Sequence, residues 1–241
     1  MPQEGASFRF MYVGNYGKDG FMSNTVICIG RQYGSGGREI GEKLAAERGI
    51  TCYDKLLLTH AAEQSGLSLA TVENGDEKPI GFSSMVTGST FASGATFCTE
   101  FYSERQLVFD AQQKAILSAV ARGDCVIIGR CASSVLRGNG VPNLSVFIYA
   151  DEEDRIKRIS LRNGIDEKSA RQRMRKIDRM RKKYFDFYSD TPWGDFSSYD
   201  LMISSSRYGI DGCVEIIQNV LKDENSAESV IGSLNPENDG K

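Results

Sequence analysis

No apolar run in this chain of 241 residues approaches the roughly 18–20 residues that a membrane helix needs, so a helical span is excluded. The opening stretch "MPQEGASFRFMYVGNYGKDGFMSN" has neither a basic start nor a long apolar core, and no secretory signal is expected there. The six cysteines include no C-x-x-C pair. Cys28, Cys52 and Cys125 lie in the apolar runs "VICIG", "ITCYD" and "DCVIIG". Buried free thiols in a reducing cytoplasm account for these better than disulfides or zinc. Histidine is nearly absent: His60 is the only one, and a lone histidine ending "LLLTH" is more often structural than catalytic. No internal repeat is recognisable.

What is there is an ordinary globular composition, 40% hydrophobic and 25% charged, in a length that suits one domain with tails. The net charge of −3 hides an asymmetry. Residues 154–183 hold 13 Lys/Arg against 4 Asp/Glu, a local charge of +9 that leaves −12 on the remainder. A cationic segment on an acidic protein points to a local anionic ligand rather than to general affinity for nucleic acid; the alternative is a solvated helix face laced with ion pairs.

Five apolar runs read as buried parallel strands: "TVICIG" (25–30), "ITCYD" (50–54), "CVIIG" (125–129), "SVFIYA" (145–150) and "DLMISS" (200–205). Helical patterns separate them. "GREIGEKLAAERG" puts Ile40, Leu44 and Ala45 on one face and stops at Gly49. "SERQLVFDAQQKAILSAVARG" opens with a Ser-x-x-Gln capping pattern at Ser103. The stretches 151–164, 166–188 and 209–223 supply three more. Alternating strands and helices predict a three-layer α/β domain with a parallel sheet. Residues 1–23 are expected to be a flexible extension, 24–222 the domain, and 223–241 a disordered tail. The Gly/Ser/Thr-rich stretch 73–100 reads as a long loop.

The segment "GRQYGSGGREIG" (30–41) follows a strand and opens a helix, the geometry in which successive backbone N–H groups and the helix dipole bind phosphate. Gly34, Ser35, Gly36, Gly37, Arg38 and Glu39 are the expected contacts to the phosphates of ATP. The pattern G-x-x-x-x-G-K-[ST] is not met, because no lysine follows the glycines. Arg38 is the expected substitute, with a planar fork for phosphate oxygens. Glu39 takes the neighbourhood of the usual hydroxyl, so no magnesium ligand is evident. Arg130, after "VIIG", lies at the carboxyl end of a strand, the edge where open α/β sheets bind ligands. In the basic segment, Arg171, Arg175 and Arg179 share one helix face beside an apolar stripe of Ala170, Met174, Ile177, Tyr184 and Tyr188.

From about Asn24 to Leu221 the chain resembles the cytidylate kinase-like family, a branch of the P-loop nucleoside monophosphate kinases. The likeness rests on "GRQYGSGGREIG", "YDK" (53–55), "VIIGR" (126–130), "FIYADEEDRIKRI" (147–159), "WGD" (193–195) and "YDL" (199–201), in that order. It implies an α/β/α P-loop kinase fold with strand order 2-3-1-4-5, a nucleoside-monophosphate-binding insertion at about 54–122 and a lid at about 155–190. It implies that Asp54, His60, Arg130 and Cys131 face the acceptor, and that Arg158, Arg175, Arg179, Arg181 and Asp178 belong to the lid machinery. The chain departs from the family in three places: Cys131 stands for an aspartate, His60 for an arginine, and the loop lysine is missing.

The activity so implied is transfer of the γ-phosphoryl group of ATP to a small acceptor, a nucleoside monophosphate such as CMP or dCMP. Mg²⁺ would bridge the β- and γ-phosphates, held mainly by phosphate and water. The alternatives are a P-loop kinase for another small metabolite, and a catalytically weak nucleotide-binding regulatory protein. Neither a nucleic-acid polymer nor a membrane is expected as a partner.

Overall fold

The computed structural model describes residues 24–54 and 94–234. Its strands are β1 (Val26–Arg31), β2 (Thr51–Tyr53), β3 (Cys125–Ile128), β4 (Leu144–Tyr149) and β5 (Leu201–Ser204). They form one parallel sheet in the order β2-β3-β1-β4-β5. Each falls on one of the five apolar runs, and the order is the one the family resemblance implies.

The strands lack polar alternation because both faces of the sheet are covered. Val26, Cys28, Cys125 and Ile127 pack against α2 (Gly94–Val120) and α3 (Ala132–Gly138). Ile27, Ile29, Val126 and Ile128 turn to the other face, against Ile40 and Leu44 of α1 (Gly37–Arg48) and Val214 and Ile217 of α6 (Ser205–Leu234). Each such isoleucine or leucine, once buried, stabilises the fold by about 1.5–3 kcal/mol. Helix α1 ends where the sequence predicts: Gly49 is left-handed at φ 66°, and its N–H reaches the carbonyls of Ala45 and Ala46. Two basic helices follow β4. Helix α4 (Glu152–Asn163) has Glu152, Glu153 and Asp154 in its first turn, favourable at the positive end of the dipole. Helix α5 (Glu167–Tyr188) is capped by Asp166, whose Oδ1 accepts from the Ser169 N–H at 3.0 Å. The two pack through Ile156, Ile159, Ala170 and Met174.

Three boundaries differ from the sequence expectation. Helix α3 has no counterpart among the expected helices; at seven residues, two of them serine, it is too short to show a period. Helix α2 begins at Gly94, upstream of the Ser103 capping pattern, so its first turns replace the end of the expected 73–100 loop. Helix α6 starts before a break at Gly209 (φ 68°, ψ −176°) and continues to Leu234, where the sequence predicts a disordered tail. "SAES" within that continuation carries alanine and glutamate, which favour helix. The expected N-terminal extension, His60, most of 73–100 and residues 235–241 lie outside the described residues. Among the described residues no helix is long and apolar enough to cross a membrane.

Cysteines 28, 52, 125, 131 and 213 are free thiols. Burial pushes the half-buried Cys52 thiol up to about 11, away from the low values that mark reactive thiolates.

Candidate active site

The turn from β1 into α1 is built by two left-handed glycines, Gly34 (φ 84°) and Gly36 (φ 79°), the second serving as the N-cap of α1. The loop is fixed from several sides. Gln32 donates its N–H to Ile148 O at 3.0 Å, and its Oε1 accepts from Ala150 N at 3.1 Å. Ser35 is fully buried; its hydroxyl donates to Gln32 O at 2.9 Å, while its own carbonyl accepts from Ser205 Oγ at 2.6 Å. Ser35 therefore shapes the loop with its side chain and both backbone groups, its N–H donating to Gln32 O at 3.3 Å.

Helices α4 and α5 clamp the same loop. Arg158 Nη1 donates to Gly34 O at 2.7 Å. Arg155, only 6% exposed, donates through Nε to Tyr33 O at 2.8 Å and pairs through Nη2 with Asp178. Asp178 uses its other oxygen to accept the Tyr33 N–H at 2.7 Å. Arg181 Nη1 donates to Arg31 O at 3.1 Å, and its guanidinium lies 5.6 Å from the centre of the Tyr33 ring. Burial holds Arg181 below the usual guanidinium range.

Two cavities flank this clamp. One, of about 750 Å³, opens over the glycine loop and is lined by Gly34, Gly36, Gly37, Arg38, Glu39, Asp54 and Arg158. The other, about 300 Å³, lies beside the end of β3. Arg130 and Arg173 reach its wall, with Cys131, Tyr184, Trp193 and Tyr199. Arg31, Tyr33 and Arg181 line both. The floor of the second cavity explains two of the sequence motifs. Trp193 of "WGD" stands edge-on to Phe147 at 5.3 Å, and Tyr199 of "YDL" packs on the same ring at 4.7 Å. Asp200 joins β5 to β4 by accepting Ser145 N at 2.7 Å and Ser145 Oγ at 2.6 Å.

Strand β3 ends in three successive positive-φ residues: Gly129 (78°), Arg130 (61°) and Cys131 (53°). A left-handed conformation costs a non-glycine residue roughly 1–2 kcal/mol, and such strain concentrates at functional sites. The turn lets Arg130 and Cys131 both reach the second cavity. Cys131 is 5% exposed, and burial pushes its thiol up.

The residues expected from sequence are thus partly gathered. Gly34, Gly36, Gly37, Arg38, Glu39, Asp54 and Arg158 meet at the first cavity, and Arg130, Cys131 and Arg181 at the second. Arg38 is turned sideways: its Nε pairs with Glu42 at 2.9 Å and with Asp54 at 3.1 Å. Asp178 is a brace between the loop and α4, with both oxygens engaged. Arg175 and Arg179 are exposed and line neither cavity. Arg171 and Arg175 pair with Glu152 on the outer side of the helix pair. The inward face of α5 is the one through Arg173, Ile177, Arg181 and Tyr184, because on that side Ala170 and Met174 dock onto α4 and Phe185 docks against Phe147 and Tyr199. Arg31 is a site residue that the sequence reading names only as the fallback source of positive charge, with the lid, should Arg38 not supply it. Its signal, a charged residue ending a parallel strand, is the same one that marks Arg130.

The glycine loop and its cationic surroundings fit the phosphates of a nucleotide. Among the described residues no group of three His, Cys, Asp or Glu side chains could hold a metal ion.

A family model described as the cytidylate kinase-like family matches residues 26–207. A protein named cytidylate kinase from Methanopyrus kandleri is 27% identical over 207 residues, covering 82% of this chain and 93% of that protein. A cytidylate kinase from Methanococcus vannielii is 34% identical over 107 residues, 44% of this chain and 62% of the relative's length. In three dimensions the chain is similar to an uncharacterized protein from Eubacterium ventriosum, with a TM-score of 0.60 and 28% identity over 82% of this chain and 98% of that one.

Proposed function

We propose that this chain, which belongs to the cytidylate kinase-like family, transfers the terminal phosphoryl group of ATP to a small anionic acceptor, a nucleoside monophosphate of the CMP or dCMP kind. The observation that carries the proposal is the shared wall. A phosphate-loop cavity and an arginine-rich aromatic cavity meet at Arg31, Tyr33 and Arg181, so a donor phosphate in one lies next to an acceptor in the other. Phosphoryl transfer asks little covalent chemistry of the protein; in-line positioning and charge stabilisation suffice.

In this reading residues 24–222 form the catalytic unit, with the acceptor-binding segment at about 54–122 and the lid at about 155–190. The backbone N–H groups of Gly34, Gly36 and Gly37 and the side chain of Arg158 hold the donor phosphates. Arg181 spans the junction and stabilises charge on the transferring oxygens. Arg130 and Arg173 bind the anionic part of the acceptor, and Trp193 and Tyr199 offer rings for its flat part. Magnesium, if bound, would supply charge neutralisation at the donor phosphates.

The test is ADP release in a coupled assay across a panel of nucleoside monophosphates. CMP or dCMP should accelerate release over the ATP-only background. If ATP raises the melting temperature but no nucleoside monophosphate accelerates release, the acceptor assignment fails. A second reading has its own support. The described lining of the acceptor cavity contains four arginines and no carboxylate, and Cys131 stands where the family has an aspartate, which leaves a cytosine amino group without a charged acceptor. That favours another phosphorylated or carboxylated metabolite, and such compounds belong in the same panel. ATP binding without turnover on any of them would indicate a regulatory nucleotide-binding protein.

A further inference from the structure

The missing lysine has a counterpart. The pattern G-x-x-x-x-G-K-[ST], aligned with its second glycine on Gly36, puts Gly37 at the lysine and Arg31 at the first glycine. The two positions have exchanged a cation for a glycine. In the structure they touch. A Cβ on Gly37 would lie 2.6 Å from Arg31 Cβ and 3.2 Å from its Cγ, closer than any real pair of carbons tolerates at the first distance. No side chain can stand at position 37 while an arginine stands at 31.

From there Arg31 runs across Gly129, where any Cβ would collide with Nη1, to the boundary of the two cavities. Its Nη2 is 3.9 Å from Asp54 Oδ1, a looser pairing than the two close contacts that occupy Arg38 Nε. Its side chain is 18% exposed, against 37% for Arg38. Burial, then the charges of Arg181, Arg130 and Arg38, press Arg31 below the ordinary guanidinium range, with Asp54 opposing. A desolvated cation beside three others has its charge relieved by an anion.

We infer that Arg31 supplies the positive charge of the absent loop lysine, reaching the transferring phosphoryl group from the end of β1 instead of from the start of α1. The inference rests on the kinase reading for its chemistry but not for its geometry. The guanidinium donates two N–H groups to phosphoryl oxygens and transfers no proton. Arg38, engaged with Glu42 and Asp54, is the lesser contributor.

The test measures binding of ATP and of inorganic tripolyphosphate by calorimetry, and ADP release, in four variants. Arg31→Ala should weaken tripolyphosphate binding at least 10-fold and lower turnover by roughly 10²-fold, with Arg38→Ala less than 10-fold on either. Gly37→Lys alone should abolish binding, because both side chains compete for one space. Arg31→Gly combined with Gly37→Lys should recover binding to within about 5-fold of wild type; only the 3.2 Å approach to Ile148 Cβ then remains tight. Should Arg31→Ala fail to fold, the single and double Gly37→Lys variants decide. Wild-type-like tripolyphosphate binding by Arg31→Ala, or a double variant no better than Gly37→Lys, overturns the exchange. Tripolyphosphate binding that depends on Arg31 without ADP release on any acceptor keeps the exchange and removes the kinase reading. Wild type that binds neither anion removes both.

Discussion

Replacing Asp178 by alanine should cost more than any other single change in the basic helices, although the residue touches neither cavity wall. Its carboxylate pairs with Arg155, whose side chain is 8% exposed against 17% for Asp178 itself, and it also accepts the Tyr33 N–H. Breaking a buried pair by removing one partner costs about 3–5 kcal/mol, because the remaining charge is stranded away from water. The partial exposure of Asp178 lets water reach the gap, which favours the lower end. The orphaned Tyr33 N–H adds about 1 kcal/mol. Together these give about 4 kcal/mol, and at roughly 2–4 °C per kcal/mol for a chain of this size the melting temperature should fall by about 8–16 °C. Glu152→Gln is the control. It breaks two contacts, to Arg171 and Arg175, but those side chains are 44% and 62% exposed, and such pairs are worth about 0–1 kcal/mol. Its melting temperature should move by no more than about 4 °C. Thermal denaturation of both variants, without ligand, is the assay. Equal shifts for the two, or an Asp178→Ala shift under about 3 °C, would refute the view that the phosphate loop is held from α5 through a buried ion pair.

Arg181→Ala should lower kcat/KM by at least about 10²-fold, while Arg175→Ala and Arg179→Ala stay within about 2-fold of wild type; steady-state kinetics on the three variants checks which face of α5 matters. Gly34→Ala should abolish ATP-induced thermal stabilisation, since φ is 84° and the added Cβ would lie 2.9 Å from both Arg155 O and Ile159 Cδ1; preserved stabilisation by ATP would contradict the close packing of α4 on the loop. Cys131→Asp puts a carboxylate beside Arg130 at a left-handed position that aspartate tolerates better than cysteine does. It should shift acceptor preference towards cytidine nucleotides, read as the ratio of kcat/KM values across the acceptor panel.

The sheet was legible in the sequence because its signal is local. A strand covered on both faces is apolar at every position, and runs such as "VICI" and "CVII", closed off by polar residues or glycine, are too short to make a buried helix. The phosphate loop was legible for the same reason: left-handed turns leave glycines at fixed places. The arginines of α5 were not. Basic residues at 171, 173, 175, 179 and 181 surround the helix, so periodicity supplies a spacing without a phase. The phase is set by which apolar neighbours dock: Met174 finds its own on α4, the preceding helix, and Phe185 on Phe147 and Tyr199 of the sheet region. Nor could the left-handed pair Arg130–Cys131 be read, since neither residue prefers that conformation. Only the surrounding fold imposes it.

The Asp-x-x-Arg spacing in α5 acquires a physical meaning from where its two members reach. Residues three apart are neighbours on a helix surface. Here Asp178 takes the N–H of Tyr33 and Arg181 the carbonyl of Arg31, two backbone groups within one short stretch between β1 and the glycines. The same helix carries Arg173 and Arg181 to the second cavity. The backbone leading into the phosphate loop and the wall of the second cavity are therefore held by one helix. Arg181 lines both cavities while Asp178, three residues before it, braces the loop and α4 without lining either.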